Sequence, residues 1–281
     1  MTASATADRL PNAHQQALAE AVAQLERPRF VSRLAKLSGY PADVVIKFMP
    51  RAVSNRLRDV AKAALFRCLE TAVRTLDADD PDEDWGAPSP WVGKIMTGVT
   101  GGVGGFIGPL ALPFELPVTT TLMLRDIAEI AKDEGEDLSD PEALLACLQV
   151  FALGGGPGDG EDLSLEYYAV RAALAELTRE ASRALMERGA VHASSPVVAR
   201  LLAEIVARFG WAVSDRFATA VVPVLGALGG AAINIVFMDH FQRVARSHFT
   251  IRRLERAFGV GRVRAAYERE ALALKTRAKA A

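Results

Sequence analysis

Cysteine is nearly missing from this sequence: Cys68 and Cys147 are the only two in 281 residues. That scarcity argues against a disulfide framework, and no CxxC pair is present to hold zinc or run a redox exchange. Both cysteines sit in helix-like apolar patterns and are expected to pack as small core residues. Net charge is just as scarce, with 33 Lys and Arg against 34 Asp and Glu, so nothing global attracts nucleic acid, and no nucleic-acid partner is expected. The first residues lack a basic start followed by an apolar run, so synthesis and residence in the cytoplasm are expected. Strand-like alternation is hard to find, and neither HExxH nor GK[ST] occurs.

What the chain has instead is 50% hydrophobic residues, recurring at spacings of three and four. The expectation is an all-α fold. In "RAVSNRLRDVAKAALFRCLETAVRTL", Val53, Leu57, Ala61, Leu65, Leu69 and Leu76 share one stripe of an amphipathic helix, with Arg56, Lys62, Arg67 and Arg74 largely outside it. Downstream, Ser139 with Glu142 three residues later reads as one N-cap, and Ser195 before Pro196 as another. Residues 76–90 carry six acids and three prolines, which marks an exposed connection. "GGGPGDGEDLS" at 154–164 is a second loop, whose acids would repel a phosphate. The organisation expected is a flexible start at 1–14, N-terminal helices at 15–76, an acidic linker at 77–90 and a glycine-rich helical core at 91–265. A C-terminal helix or tail occupies 266–281, its end expected to fray.

Two long stretches lack charge. One runs over 95–114 and resumes over 116–124 beyond Glu115; the other covers 217–238. Each is long enough to cross a hydrocarbon layer as a helix. Glycine and proline argue against a simple span. Gly98 with Gly102, Gly101 with Gly105 and Gly226 with Gly230 form small-xxx-small pairs that let another backbone approach closely, so the two stretches are expected to pack on each other. Pro109, Pro113 and Pro117 end or kink the first stretch, and a broken element at 107–117 followed by a helix from Pro117 is expected. The glycines lack the G-x-G-x-x-G register of a dinucleotide loop.

Charged and polar residues inside or beside these stretches are the candidates for function. Glu115 reads first as a cap or solvent-reaching group at a helix break, and second as a functional carboxylate. Asn234 is expected to make an interhelical hydrogen bond. From 240 to 264 the chain holds seven arginines against the single acid Glu255, among them Arg243, Arg246, Arg252 and Arg253. Two readings stand: a flank facing anionic headgroups, or a helix face pairing with the acidic segments 77–84 and 133–142. Asp239 and Arg243 are spaced to pair on one helix face. His240 and His248 lie roughly 80° apart around a helix, so they would not share a metal without further ligands, and a structural hydrogen-bonding role is favoured over metal binding or catalysis. No metal and no cofactor are expected.

The stretches "PLALPFELPVTTTLMLRDIAEIAKDEGEDLSDPEALLACLQVFALGG" and "VVPVLGALGGAAINIVFMDHFQRVARSHFTIRRLERAFG" resemble the bacterial EcsC family, as do "YYAVRAALAEL" and "ERPRFVSRLAKLSG". The resemblance runs from about residue 15 to about residue 265. Positions matching the family pattern are Glu115, Pro117, Arg125, Asp126, Gly135, Asn234, Asp239, His240, Arg253 and Glu255. The family takes its name from a protein encoded beside an ABC-transporter pair, and the resemblance implies no catalytic residue. Arg125, Asp126 and Asn234, with Arg243, Arg246, Arg252 and Arg253 of the basic stretch, are taken as binding candidates.

Three functions stand as expectations. The first is a cytoplasmic-side, membrane-associated accessory protein, linked to ABC transport, whose partner is an anionic membrane surface or a membrane transporter. The second is a soluble all-α module enclosing a lipid or other apolar ligand. The third, an enzyme using Glu115, Asp239, His240 or His248, lacks a recognisable nucleophile with its base.

Overall fold

A computed structural model of the chain describes residues 10–26, 59–67, 69, 112–155, 166–188, 195–221 and 230–280, with 112–118, 188, 214–221, 230–234 and 278–280 given by backbone alone. The fold is all-helical, and no strand occurs among the described residues. The helices are α1 (Asn12–Leu25), α2 (Leu112–Asp133), α3 (Pro141–Leu153), α4 (Glu166–Arg188), α5 (Pro196–Val221), α6 (Gly230–Phe258) and α7 (Val260–Ala280). Residues 59–67 form a further helical segment, whose Ala61 and Leu65 are fully buried, as the stripe requires.

Several helix ends differ from the sequence expectation. The cap of α3 is Asp140, which accepts from Glu142 N–H at 2.8 Å, while Ser139 donates its hydroxyl to Asp137 at 2.6 Å. Pro141 explains the shift: its missing N–H costs nothing at the first helical position, so the cap falls on the residue before it. Ser195 does cap α5, accepting from Val198 N–H at 3.3 Å. Helix α2 starts at Leu112 and continues through Pro113 and Pro117. Pro113 lies in the first turn, where amides have no helical partner, and Pro117 removes only one bond in the second. The C-terminal helix runs to Ala280, held by buried Ala271 and by Leu274 against the core. At the other end Leu10 is buried and α1 begins at Asn12.

The second uncharged stretch is shared between helices: 217–221 finish α5 and 230–238 begin α6. Among the described residues, no helix is long and apolar enough to cross a membrane. Gly98, Gly101, Gly102, Gly105 and Gly226 lie outside the described residues. Gly230 is the first residue of α6.

Helix α6 is the hub, packing on α1, α2, α3, α5 and α7. Its first half enters a core in which Phe151, Phe209, Phe237 and Phe241 meet edge-on or tilted, at centroid distances from 4.9 to 6.3 Å. Each such ring, fully buried, stabilises the fold by roughly 2–3 kcal/mol. Cys147 is buried and free in this core; Cys68 lies outside the described residues. The second half of α6 places Ile251 and Leu254 in another cluster, with Leu18 and Val22 of α1 and Tyr167, Tyr168 and Tyr267.

Two glycines end α3 in tight quarters. A Cβ at Gly155 would fall 2.4 Å from the Arg208 carbonyl oxygen of α5, and one at Gly154 would fall 2.6 Å from the Phe241 ring of α6. The "LGG" at 153–155 is therefore where three helices touch.

Contacts between helices fix their directions. Gln242 bonds Asp126 and Thr250 bonds Glu134, so α2 and α6 run parallel. Phe209 lies over Phe237 and Phe241, and only eight residues separate the end of α5 from the start of α6, too few to bring the chain back unless α5 runs against α6. The start of α2, the end of α5 and the start of α6 therefore share one end of the bundle.

Candidate functional site

Away from that end, α2 stops at a glycine whose conformation sets the course of the chain beyond it. Gly135 has φ +78, and Glu136 N–H bonds Ala131 C=O at 2.9 Å, the reverse turn that ends a helix with a left-handed residue. The turn swings Glu134 and Glu136 onto α6. Arg252 grips Glu136 with two N–H groups at 2.8 and 3.1 Å, and Arg256 bonds the same carboxylate. Arg253 donates to Glu134 at 2.6 Å and Thr250 at 2.9 Å, while Arg256 also reaches the Glu134 carbonyl at 2.7 Å. Burial pushes the Glu136 carboxyl up, but the Arg252 hydrogen bond and the charges of Arg252 and Arg256 outweigh it and hold the group below the usual range.

One turn away on the other side of α6 lies a buried polar cluster. "YYAVR" puts Tyr167, Tyr168 and Arg171 on the α4 face that meets α6 and α7. Arg171 forks onto Glu255 with two bonds of 2.8 Å, and Tyr168 donates to the same carboxylate at 3.0 Å. The Arg171 guanidinium lies 5.4 Å from the Tyr167 ring centre and 5.5 Å from that of Tyr168. Tyr267 of α7 stacks on Tyr167 at 5.4 Å and donates to Glu26, just past α1, at 2.9 Å. Burial raises the Glu26 carboxyl, an effect its bond from Tyr267 only partly opposes.

His248 is fully buried at the heart of this cluster, with Nδ1 3.0 Å from the Tyr167 hydroxyl. Burial first, then the Arg171 and Arg252 charges, drive its pKa well below 6.5, so the ring is neutral. Burial likewise raises the Tyr167 phenol and keeps its proton on. Tyr167 therefore donates to Nδ1 and the ring hydrogen sits on Nε2, which has no hydrogen-bond partner. The arrangement fixes protons in place; it presents no exposed nucleophile with a base.

The residues singled out in the sequence fall mainly into fastenings between helices. Asp126 accepts from Gln242 at 2.6 Å. His240 Nε2 donates to the Gly154 carbonyl at 2.8 Å and so secures the end of α3. Asp239 pairs with Arg243 at 2.8 Å, as their spacing implied, and Arg125 with Glu129 at 3.4 Å. Arg252 and Arg253 are engaged by Glu136 and Glu134, the acidic-segment pairing of the two readings. Arg246 is exposed. Glu115 and Asn234 are placed by backbone only, in the first turns of α2 and α6. Among the described residues no group of three or more His, Cys, Asp or Glu could hold a metal ion. Sequence reasoning gave no site role to Tyr167, Tyr168, Arg171 or Gln242. Adjacent tyrosines with an arginine one turn on were the available signal for the first three.

The model of the EcsC protein family matches residues 92–254. No curated protein and no solved structure matches the chain.

Proposed function

The chain belongs to the EcsC protein family, and we propose that it is a membrane-associated accessory protein of the cytoplasmic side, working beside an ABC-type transporter. The observation that carries this reading is the gathering of uncharged helix ends, 116–124 of α2, 217–221 of α5 and 230–238 of α6, at one end of the bundle. The segment before α2, 95–111, and the one between α5 and α6, 222–229, are uncharged as well. Ile235 is exposed at this end and Trp211 beside it, and exposed apolar side chains next to charge-free helix ends favour a membrane or membrane-protein partner. The link to a transporter draws on the family resemblance alone. Headgroup contact by Arg252 and Arg253 drops out of the proposal, because both are engaged within the fold.

Fractionation of the untagged protein tests the reading. The protein is expected in the membrane pellet, to survive a high-salt wash and to be released by detergent, because apolar contact is insensitive to ionic screening. Recovery in the soluble pool would overturn it. The same apolar end would then favour the second reading, a module that takes up a lipid or other apolar ligand.

A further inference from the structure

Helix α1 covers one side of the tyrosine cluster, and its own sequence does little to hold it there. The residue at its N-cap is Pro11, which makes no side-chain bond, and neither an acid in the first turn nor a base in the last complements its dipole. At 14 residues it is marginal as a helix by itself. Its helicity depends on its seat.

That seat lies on one side. Leu18, Ala21 and Val22, with Leu10 just before the helix, are buried in the second cluster, where α1 packs on α6 and α7. Asn12, Ala13, Gln16 and Glu20 on the outer side are exposed. Helix α3 makes the contrast, with 11 of its 13 residues buried. Polar contacts near the two ends of α1 are modest. Gln15 donates to Glu270 at 3.4 Å, close to the limit of a hydrogen bond, and Tyr267 donates at 2.9 Å to Glu26, a carboxylate that burial disfavours.

What lies beneath is held together by other helices. The bonds of Arg171 and Tyr168 to Glu255, the contact of Tyr167 with His248 and the stack of Tyr167 on Tyr267 all run between α4, α6 and α7. Among the described residues, α1 reaches the phenylalanine core through Leu25 alone, a partly buried residue in its last turn. Removing α1 therefore breaks contacts along one face and leaves both clusters joined through α6.

From these contacts we infer that α1 is a strap: it opens as a unit while the rest of the chain stays folded, and its opening gives solvent and solutes access to Tyr267 and the polar cluster behind it. A helix with few buried side chains and one packed face is the kind of element that opens below the free energy of global unfolding. The open form keeps Arg171 on Glu255 and uncovers Tyr267, which is fully buried when α1 is seated. Access to the cluster is thus governed by a segment distant in sequence from α4 and α6.

Native-state hydrogen exchange of the full chain, resolved by peptide mass spectrometry, tests the strap. Amides of α1 should exchange at least about a hundredfold faster than those of α3, which exchange with the whole fold. Phe209→Leu, in the other core, should speed α3 about tenfold and leave α1 unchanged, because it weakens the closed and open forms alike. Leu18→Ala, on the packed face of α1, should speed α1 about a hundredfold and raise nitration of Tyr267 by tetranitromethane in step, while circular dichroism shows that the other helices persist. If α1 exchanges at the rate of α3, or follows α3 in Phe209→Leu, it opens only with the whole fold and the strap is overturned; neither comparison depends on how Leu18→Ala folds. A Tyr267 that stays protected in Leu18→Ala while α1 exchanges fast overturns the role of α1 as the cover.

Discussion

A neutral histidine in the core makes a protein sensitive to acid at a pH where its carboxylates are still ionised. His248 is such a residue, held below its usual 6.5 by burial and by the flanking Arg171 and Arg252. Below pH 6.5 the unfolded chain takes up a proton that the folded chain refuses, so stability falls as pH falls, by up to about 1.4 kcal/mol per unit until the folded pKa is reached. Urea unfolding should therefore show a loss of about 1 kcal/mol between pH 7 and 5.5 that is absent in His248→Gln. An identical loss in both proteins would show that the pH dependence arises elsewhere. A hydrogen-bonding rather than metal-binding His248 was the legible reading, given the missing metal motifs. Its partner Tyr167 was not, because the two are 81 residues apart and meet only when α4 lies on α6.

At the scale of elements, the turn after α2 and the second half of α6 form one clamp. Glu136 is 5% exposed and Arg252 19%. Removing the carboxylate leaves a guanidinium half-buried without its partner. Glu136→Gln should cost about 2 kcal/mol, less than a fully buried pair because Arg252 and Arg256 retain some solvent. A double-mutant cycle with Arg252→Gln should return a coupling of about 1 kcal/mol; a coupling near zero would reduce the clamp to ordinary surface pairing. The arginines and acids of this clamp were both visible in the sequence, as one of two pairings for the basic stretch. What was not visible is that Gly135 adopts a left-handed conformation and delivers both carboxylates to the same helix face. The misplaced cap at Ser139 has a related cause: Asp137, Ser139 and Asp140 all accept or donate locally, and only the position of Pro141 decides among them.

The whole molecule depends on α6 belonging to two clusters. Phe237, Phe241 and Phe249 lie in one, Ile251 and Leu254 in the other, on a single unbroken helix. Loss of either cluster frees half of α6 and undermines the other. Thermal unfolding followed by far-ultraviolet dichroism and by near-ultraviolet tyrosine signals, most of which report the second cluster, should give coincident transitions; separated midpoints would show that the clusters melt independently. The sequence by itself determined the helical class, because spacings of three and four are local and the chain carries almost no alternation. It also determined that the charge-free stretches stand apart from the arginines, which is a property of order along the chain. Only the tertiary structure decided that those stretches end three different helices on one side of the bundle, and that Arg252 and Arg253 answer to Glu136 and Glu134. Those outcomes rest on helix directions and on contacts across more than a hundred residues, set by which apolar faces bury each other and not by any local pattern.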